Sequence, residues 1–162
     1  MSEAAAAIPL EEISPYELER GKPVPSQNHS FAQSFLIAQL MRYRAQFTVL
    51  SELELATLPK HSIPDLSVYP VLIPNWQHDE LRKLEPPLVT VEIYSKSQGV
   101  YDFEDKVLAY FEFGVKSCWI VNPFTQSLTI FRPGQQPLTY GVVAFTDPTL
   151  GVEIDLREVF VS

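Results

Sequence analysis

The chain has 162 residues, 46% of them hydrophobic and 20% charged, which suits one globular domain and excludes a disordered chain. Its formal net charge of −8 argues against tight, non-specific nucleic-acid binding, which normally relies on basic patches that release counterions from phosphates. No apolar run is long enough to cross a bilayer, so no membrane association is expected, and the single cysteine, Cys118, rules out an internal disulfide and suits the reducing cytoplasm.

Residues 1–13 lack the basic stretch of a secretory signal and read as a flexible tail ahead of a domain spanning 14–162. Tyr16 to Pro25 fits either a short hairpin around Arg20-Gly21 or a helical turn capped at Ser14. From Ser30 to Gln46, Phe31, Phe35, Ala38 and Met41–Ala45 recur at helical steps, with Leu36, Leu40 and Tyr43 widening the stripe. Phe47 to Leu55 alternates with period two, as a half-buried strand does. Ile63 to Tyr69 is a second strand, entered through Pro64. Tyr69 to Pro87, with four prolines, reads as a surface connection holding one helical turn. Leu88 to Tyr94 is β-branched and apolar, the pattern of a central strand. Asp102 to Phe113 is a helix ended by Gly114, with Val107, Leu108 and Phe111 toward the core. Lys116 to Val121 and Ser127 to Arg132 form a strand pair, one or two further strands follow Pro133-Gly134, and Leu156 to Phe160 closes the chain as a short helix. This order predicts an α/β (α+β) fold: a mixed central β-sheet flanked by helices, with additional antiparallel strands.

The chemistry concentrates at three places. Glu92 is the one carboxylate in an otherwise apolar strand, and a buried carboxylate needs a cation, a metal or hydrogen bonds. A salt bridge to Lys96, on the same strand face, or to an arginine at the sheet end is the plain structural account. Asp65 follows Pro64 at the start of a short strand, where Pro-Asp alone would mark a turn. Two carboxylates at the ends of neighbouring strands, however, repel unless a hard cation lies between them, and one or two carboxylates plus waters and phosphate are what Mg²⁺ takes. Asp102, Lys106 and Tyr110 lie at i, i+4 and i+8 and share a helix face. They are either a solvated ion-pair face or a means of aiming Lys106 at the metal site, to orient water or stabilise developing charge.

The ordered set Pro64-Asp65, Val91-Glu92-Ile93-Tyr94-Ser95, Asp102-x3-Lys106-x3-Tyr110 and Gly114-Val115-x3-Trp119-Ile120-Val121-Asn122-Pro123 resembles the Uma2 family, a domain common in cyanobacteria. Tyr16-Glu17-Leu18-x2-Gly21 and Pro25-x3-His29 extend the likeness upstream. The resemblance implies a restriction-endonuclease-like fold of the PD-(D/E)xK superfamily and a metal-dependent nuclease acting on DNA. Asp65 and Glu92 would be ligands of Mg²⁺ (or Mn²⁺), the Ile93 carbonyl would complete the shell, and Lys106, displaced from strand to helix, would be the motif lysine. The usual lysine position is Tyr94, so Lys96 is the second candidate. Glu17, His29, Asp102 and Tyr110 are accessory candidates, and such folds often work as homodimers. Gly21-Lys22 stands where the family has Gly-Glu, the loop after Ser95 lacks the family's arginines, and Asn122-Pro123 replaces Asp-Pro. These losses, with the acidity, motivate an alternative: an inactive nuclease fold serving as a dimeric module that binds a protein partner.

Other chemistries fail on residue type or spacing. His61 and His78 have no zinc-like spacing, Ser95 and Ser97 have no histidine near in sequence, and no glycine-rich phosphate loop is present. Trp119 and Phe131 read as core aromatics.

Overall fold

The computed structural model describes residues 24–95 and 100–162, with side chains in the second segment described from Phe103 onward. Expectations for residues 1–13, for the hairpin or helical turn around Arg20-Gly21, for Glu17 and for Lys96 lie outside the described residues, as does the side chain of Asp102.

Helix α1 spans Gln27–Met41, earlier than the Ser30–Gln46 pattern suggested. Its start is set by Ser26, whose hydroxyl accepts the His29 amide hydrogen and satisfies one of the otherwise orphaned first-turn donors. The buried face is Ala32, Leu36 and Leu40 with His29 and Gln39, while Phe31 and Met41 are exposed. The apolar pattern of this helix runs round most of its surface, so sequence alone did not fix which face turns inward. Gln39 is buried because it bridges to the C-terminal segment: its carbonyl oxygen accepts from Asp155 N (3.0 Å) and its amide donates to Glu158 Oε2 (2.7 Å).

The strands follow as β1 (Phe47–Ser51), β2 (Glu54–Leu55), β3 (Leu66–Pro70), β4 (Arg82–Lys83) and β5 (Val89–Ile93). The expected single strand from Phe47 to Leu55 is broken at Glu52, which sits at φ 51° and turns the chain between β1 and β2. The region from Tyr69 to Pro87 holds a single hydrogen-bonded turn, His78 N to the Asn75 carbonyl, and also β4, paired in parallel with β2. Helix α2 (Val100–Phe113) crosses to β6 (Ser117–Asn122), followed by β7 (Ser127–Phe131), β8 (Leu138–Tyr140), β9 (Ala144–Thr146) and β10 (Glu153–Asp155). The terminal helix shortens to a 3-10 turn, Leu156–Glu158. Gly114 ends α2 at φ 112°, the expected left-handed stop, and a Cβ there would come within 3.1 Å of the Pro86 ring.

The six-stranded sheet has the order β1-β3-β5-β6-β7-β8, with β5–β6 parallel and every other neighbour antiparallel. The parallel pair requires a crossover, and α2 supplies it. Because β5 alternates, Val89, Val91 and Ile93 join the core formed with α1 and the C-terminal segment, around Trp119, Val121, Leu128 and Ile130. Thr90 and Glu92 face the other way, toward α2 and the second cluster of Leu55, Val107, Tyr110, Val115 and Cys118. The inward positions of α2 are therefore Phe103, Val107 and Tyr110, whereas Leu108, expected inside, is exposed. Among the described residues, no helix is long and apolar enough to cross a membrane.

Candidate active site

Antiparallel pairing of β3 with β5 aligns Leu66 with Val91, Ser67 with Thr90 and Val68 with Val89. Continuing that register by one residue sets Asp65 opposite Glu92, and partners opposite one another share a sheet face. Both carboxylates are buried, Asp65 at 4% exposure and Glu92 at 1%, so each must be compensated.

Asp65 Oδ2 accepts the Ile93 amide hydrogen at 2.7 Å, and Oδ1 lies 3.2 Å from His29 Nε2. The backbone of Asp65 is held as well: its carbonyl accepts from Glu52 N (3.2 Å) and from Gln33 Nε2 (3.3 Å). His29 and Gln33 stand four apart on α1, so one helix face grips Asp65 twice. Sequence reading proposed His29 and missed Gln33. The i, i+4 spacing of His29 and Gln33 on the face of Leu36 and Leu40 was the available signal.

Glu92 Oε1 accepts the Tyr110 hydroxyl hydrogen, and Oε2 lies 3.7 Å from Lys106 Nζ. The shared face of Lys106 and Tyr110 is thus turned onto Glu92, with Lys106 still partly open to solvent. Since the Tyr94 amide bonds the Val121 carbonyl on β6, alternation turns the backbone groups of Ile93 toward β3. The Ile93 carbonyl therefore lies on the Asp65 edge of the strand, together with the amide that holds Asp65. Tyr110 is wholly buried, and burial, then the Glu92 charge, hold its phenol well above the usual value, so it is a fixed donor at every ordinary pH. Cys118, on the same face of β6, is inert for the same reason: burial pushes its thiol up to about 12.

These shifts fix the sign of the alkaline response. A folded-state pKa raised above the unfolded value stabilises fully below the unfolded value and is lost as pH rises toward the folded one. For Cys118 that window runs from 9.0 to about 12, and for Tyr110 it opens near 10. Each group removes up to about 1.4 kcal/mol per pH unit within its window. Denaturant titrations between pH 8 and 11 (bounds on the order of these values) are expected to show stability falling, with a shallower fall in Cys118→Ala. An unchanged slope in that variant would show that the thiol ionises as readily folded as unfolded.

Beyond Glu92 on the same sheet face opens a cleft of about 880 Å³, lined by Tyr94, Phe103, Val107, Ile120, Phe124 and Phe131 among others. Among the described residues, no cluster of three or more His, Cys, Asp or Glu side chains could hold a metal. Among the described residues, the carboxylates at the site are those of Asp65 and Glu92.

A mixed sheet thus carries two buried carboxylates at the adjoining ends of neighbouring strands, with a lysine from the crossover helix beside one of them. The chain belongs to the Uma2 family, whose model, described as "Putative restriction endonuclease", matches residues 6–160. A solved structure described as "a putative nuclease belonging to DUF820 from Anabaena variabilis" shares the fold. It superposes with a TM-score of 0.71 at 21% identity, covering 86% of this chain and 83% of that one. No curated protein matches the sequence.

Proposed function

We propose that this protein is a Mg²⁺-dependent endonuclease that hydrolyses phosphodiester bonds in DNA, with Asp65 and Glu92 as the metal ligands. The observation that carries this reading is the placement of two buried carboxylates at the adjoining ends of β3 and β5, Asp65 Oδ2 on the Ile93 amide, with Lys106 Nζ 3.7 Å from Glu92 Oε2. The donor set suits a hard cation, because the two carboxylates and the edge carbonyl of Ile93 are all oxygen. A bound divalent ion would lower the pKa of a coordinated water and polarise the phosphoryl oxygen.

The side chains divide the remaining work. His29, the Ile93 amide and Gln33 fix the position of Asp65, while Tyr110 fixes Glu92. Lys106, the partly open cation at the site, binds a phosphate oxygen or the attacking water and stabilises the charge that develops on the phosphorus oxygens. The aromatic cleft beside Glu92 supports a nucleic-acid substrate in spite of the acidity, since stacking contributes roughly 1–3 kcal/mol per base without any cation.

The choice between Lys106 and Lys96 is tested by paired substitutions. Lys106→Met is expected to lower kcat for Mn²⁺-supported DNA cleavage about 10²–10³-fold and leave metal affinity nearly unchanged. Lys96→Met is expected to stay near the parent rate. The reverse pattern would move the catalytic role to Lys96.

A further inference from the structure

Tyr94 lies two residues past Glu92, so strand alternation puts it on the Glu92 side of the sheet, and Ile120 is the partner of Glu92 across β5 and β6. Both line the cleft of about 880 Å³, which is therefore continuous with the carboxylate site. Of its described lining, Tyr94, Phe103, Phe124 and Phe131 are aromatic, and Glu104 is the one charged side chain. A phosphate meets no cation there, whereas a flat apolar face meets rings of its own kind.

The rings are set in place by the fold. Tyr94 and Phe103 pack together with ring centroids 5.7 Å apart. Asn122 Oδ1 accepts the amide hydrogens of Phe124 (3.0 Å) and Thr125 (3.3 Å), which holds the loop after β6 in shape. Phe124 is nonetheless 92% exposed, a large ring held out to solvent at the edge of the cleft. The side-chain amides of Asn122, Asn28 and Gln27 add uncharged donors and acceptors, the groups that read a base edge.

We propose that the site takes an unpaired DNA strand, whose bases stack in this cleft while the sugar-phosphate chain passes the carboxylates. The inference rests on the reading of Asp65 and Glu92 as a nuclease site and adds to it the form of the substrate. Continuity with the carboxylates selects a nucleic acid over an unrelated apolar ligand. Charge and shape then separate one strand from a duplex. A duplex keeps its base faces inside and is gripped mainly through its phosphates, by cations. This chain has a net charge of −8, and the described lining of the cleft holds no lysine or arginine. An unpaired strand turns its base faces outward, and every base has a face to stack, so aromatic side chains can hold it without reading sequence. The volume agrees, since it falls within the roughly 300–1,000 Å³ of sites that enclose small molecules, room for a short stretch of bases but not for a double helix. A base from a duplex could enter only after being unpaired and unstacked, a cost that an unpaired strand does not carry.

Fluorescence anisotropy with EDTA present compares a labelled oligonucleotide of about 12 nucleotides, not self-complementary, with the same oligonucleotide annealed to its complement. The parent protein is expected to bind the single strand at least about tenfold more tightly than the duplex. Its log K should fall with log salt at a slope no steeper than about −1.5, the mark of few phosphate contacts. Phe124→Ala is expected to weaken single-strand binding roughly 5- to 150-fold, and Phe124→Trp to retain it. Trp76→Ala, at a residue 89% exposed on the segment that leaves the far end of β3 from Asp65, is the control and should bind as the parent does. Duplex binding as tight as single-strand binding, no binding of either form, a steeper salt slope, or Phe124→Ala binding like the parent would overturn the proposal, whatever a cleavage assay shows. Single-strand binding by a parent that cuts no DNA in Mn²⁺ would instead reject the nuclease reading and leave the strand-binding cleft in place.

Discussion

Glu92→Gln is expected to abolish saturable Mg²⁺ and Mn²⁺ binding and to lower DNA cleavage by a factor on the order of 10³ or more. The substitution keeps volume and shape at a position that is 1% exposed, and the amide oxygen still accepts the Tyr110 hydroxyl hydrogen. What it removes is the negative charge, and with it most of the attraction for a hard dication. The fold should survive, because the variant no longer buries a charged carboxylate; Lys106, partly open to solvent, can be hydrated. Titration calorimetry with both ions, on parent and variant, checks this before any substrate is chosen. Binding by the variant equal to that of the parent would remove Glu92 from the metal site. If the parent itself binds neither ion, the inactive dimeric module becomes the better reading. Asp65→Asn should act in the same direction, and more severely on local structure. Its amide nitrogen would face either the Ile93 amide or His29 Nε2, and one of those hydrogen bonds must break unless His29 shifts its proton to Nδ1, which has no partner among the described residues.

The largest stability effect is expected far from that site. Asp147 is the first residue of the loop that joins β9 to β10, and it is wholly buried. Its Oδ1 accepts from Trp119 Nε1 at 3.0 Å, and its Oδ2 accepts the amide hydrogens of Thr149 (3.0 Å) and Leu150 (2.6 Å). One carboxylate therefore ties the central tryptophan of β6 to the C-terminal loop. Burial raises its pKa, while these hydrogen bonds and the Arg132 charge pull in the opposite direction. Asp147→Ala leaves two buried donors (Trp119 Nε1 and the Leu150 amide) and the partly buried Thr149 amide without an acceptor, and opens a void beside Trp119. The expected cost is about 3–5 kcal/mol, a large share of the stability of an ordinary domain. Asp147→Asn should cost less, since its amide oxygen can still accept from one side of the network. Urea titration with an unchanged m-value, followed by the near-ultraviolet signal of Trp119, measures both variants. A loss under about 1 kcal/mol in Asp147→Ala would mean that solvent replaces these bonds freely.

The residues of the site were legible in the sequence to the extent that their chemistry conflicts with their neighbours. Glu92 stands out because Val89, Val91 and Ile93 surround it in a strand with no other charge. Lys106 and Tyr110 stand out because four residues are one helical turn, and both do reach Glu92. The same local period failed for α1, whose apolar residues are spread around the helix, so that Phe31 is exposed while His29 and Gln39 are buried. It failed again for Leu108, which satisfies the pattern of α2 but lies outside the sector that α2 turns to the sheet.

The sequence by itself determined that Asp65 and Glu92 occupy the ends of short strands, that α2 stops at Gly114, and that Trp119 lies in the core. Each follows from interactions within a few residues, where strand alternation, helical period and the φ of a glycine leave a direct trace. Only the tertiary structure decided that the Asp65 carboxylate accepts from the Ile93 amide next to Glu92, that His29 and Gln33 hold Asp65 from a helix more than thirty residues upstream, and that Asp147 anchors Trp119. It also decided that β4 pairs with β2, so that the apolar residues from Val71 to Leu84 project outward. Those facts depend on the register and packing of segments far apart in the chain. Register is set by the fit of whole faces to one another, and no single residue's pattern encodes it.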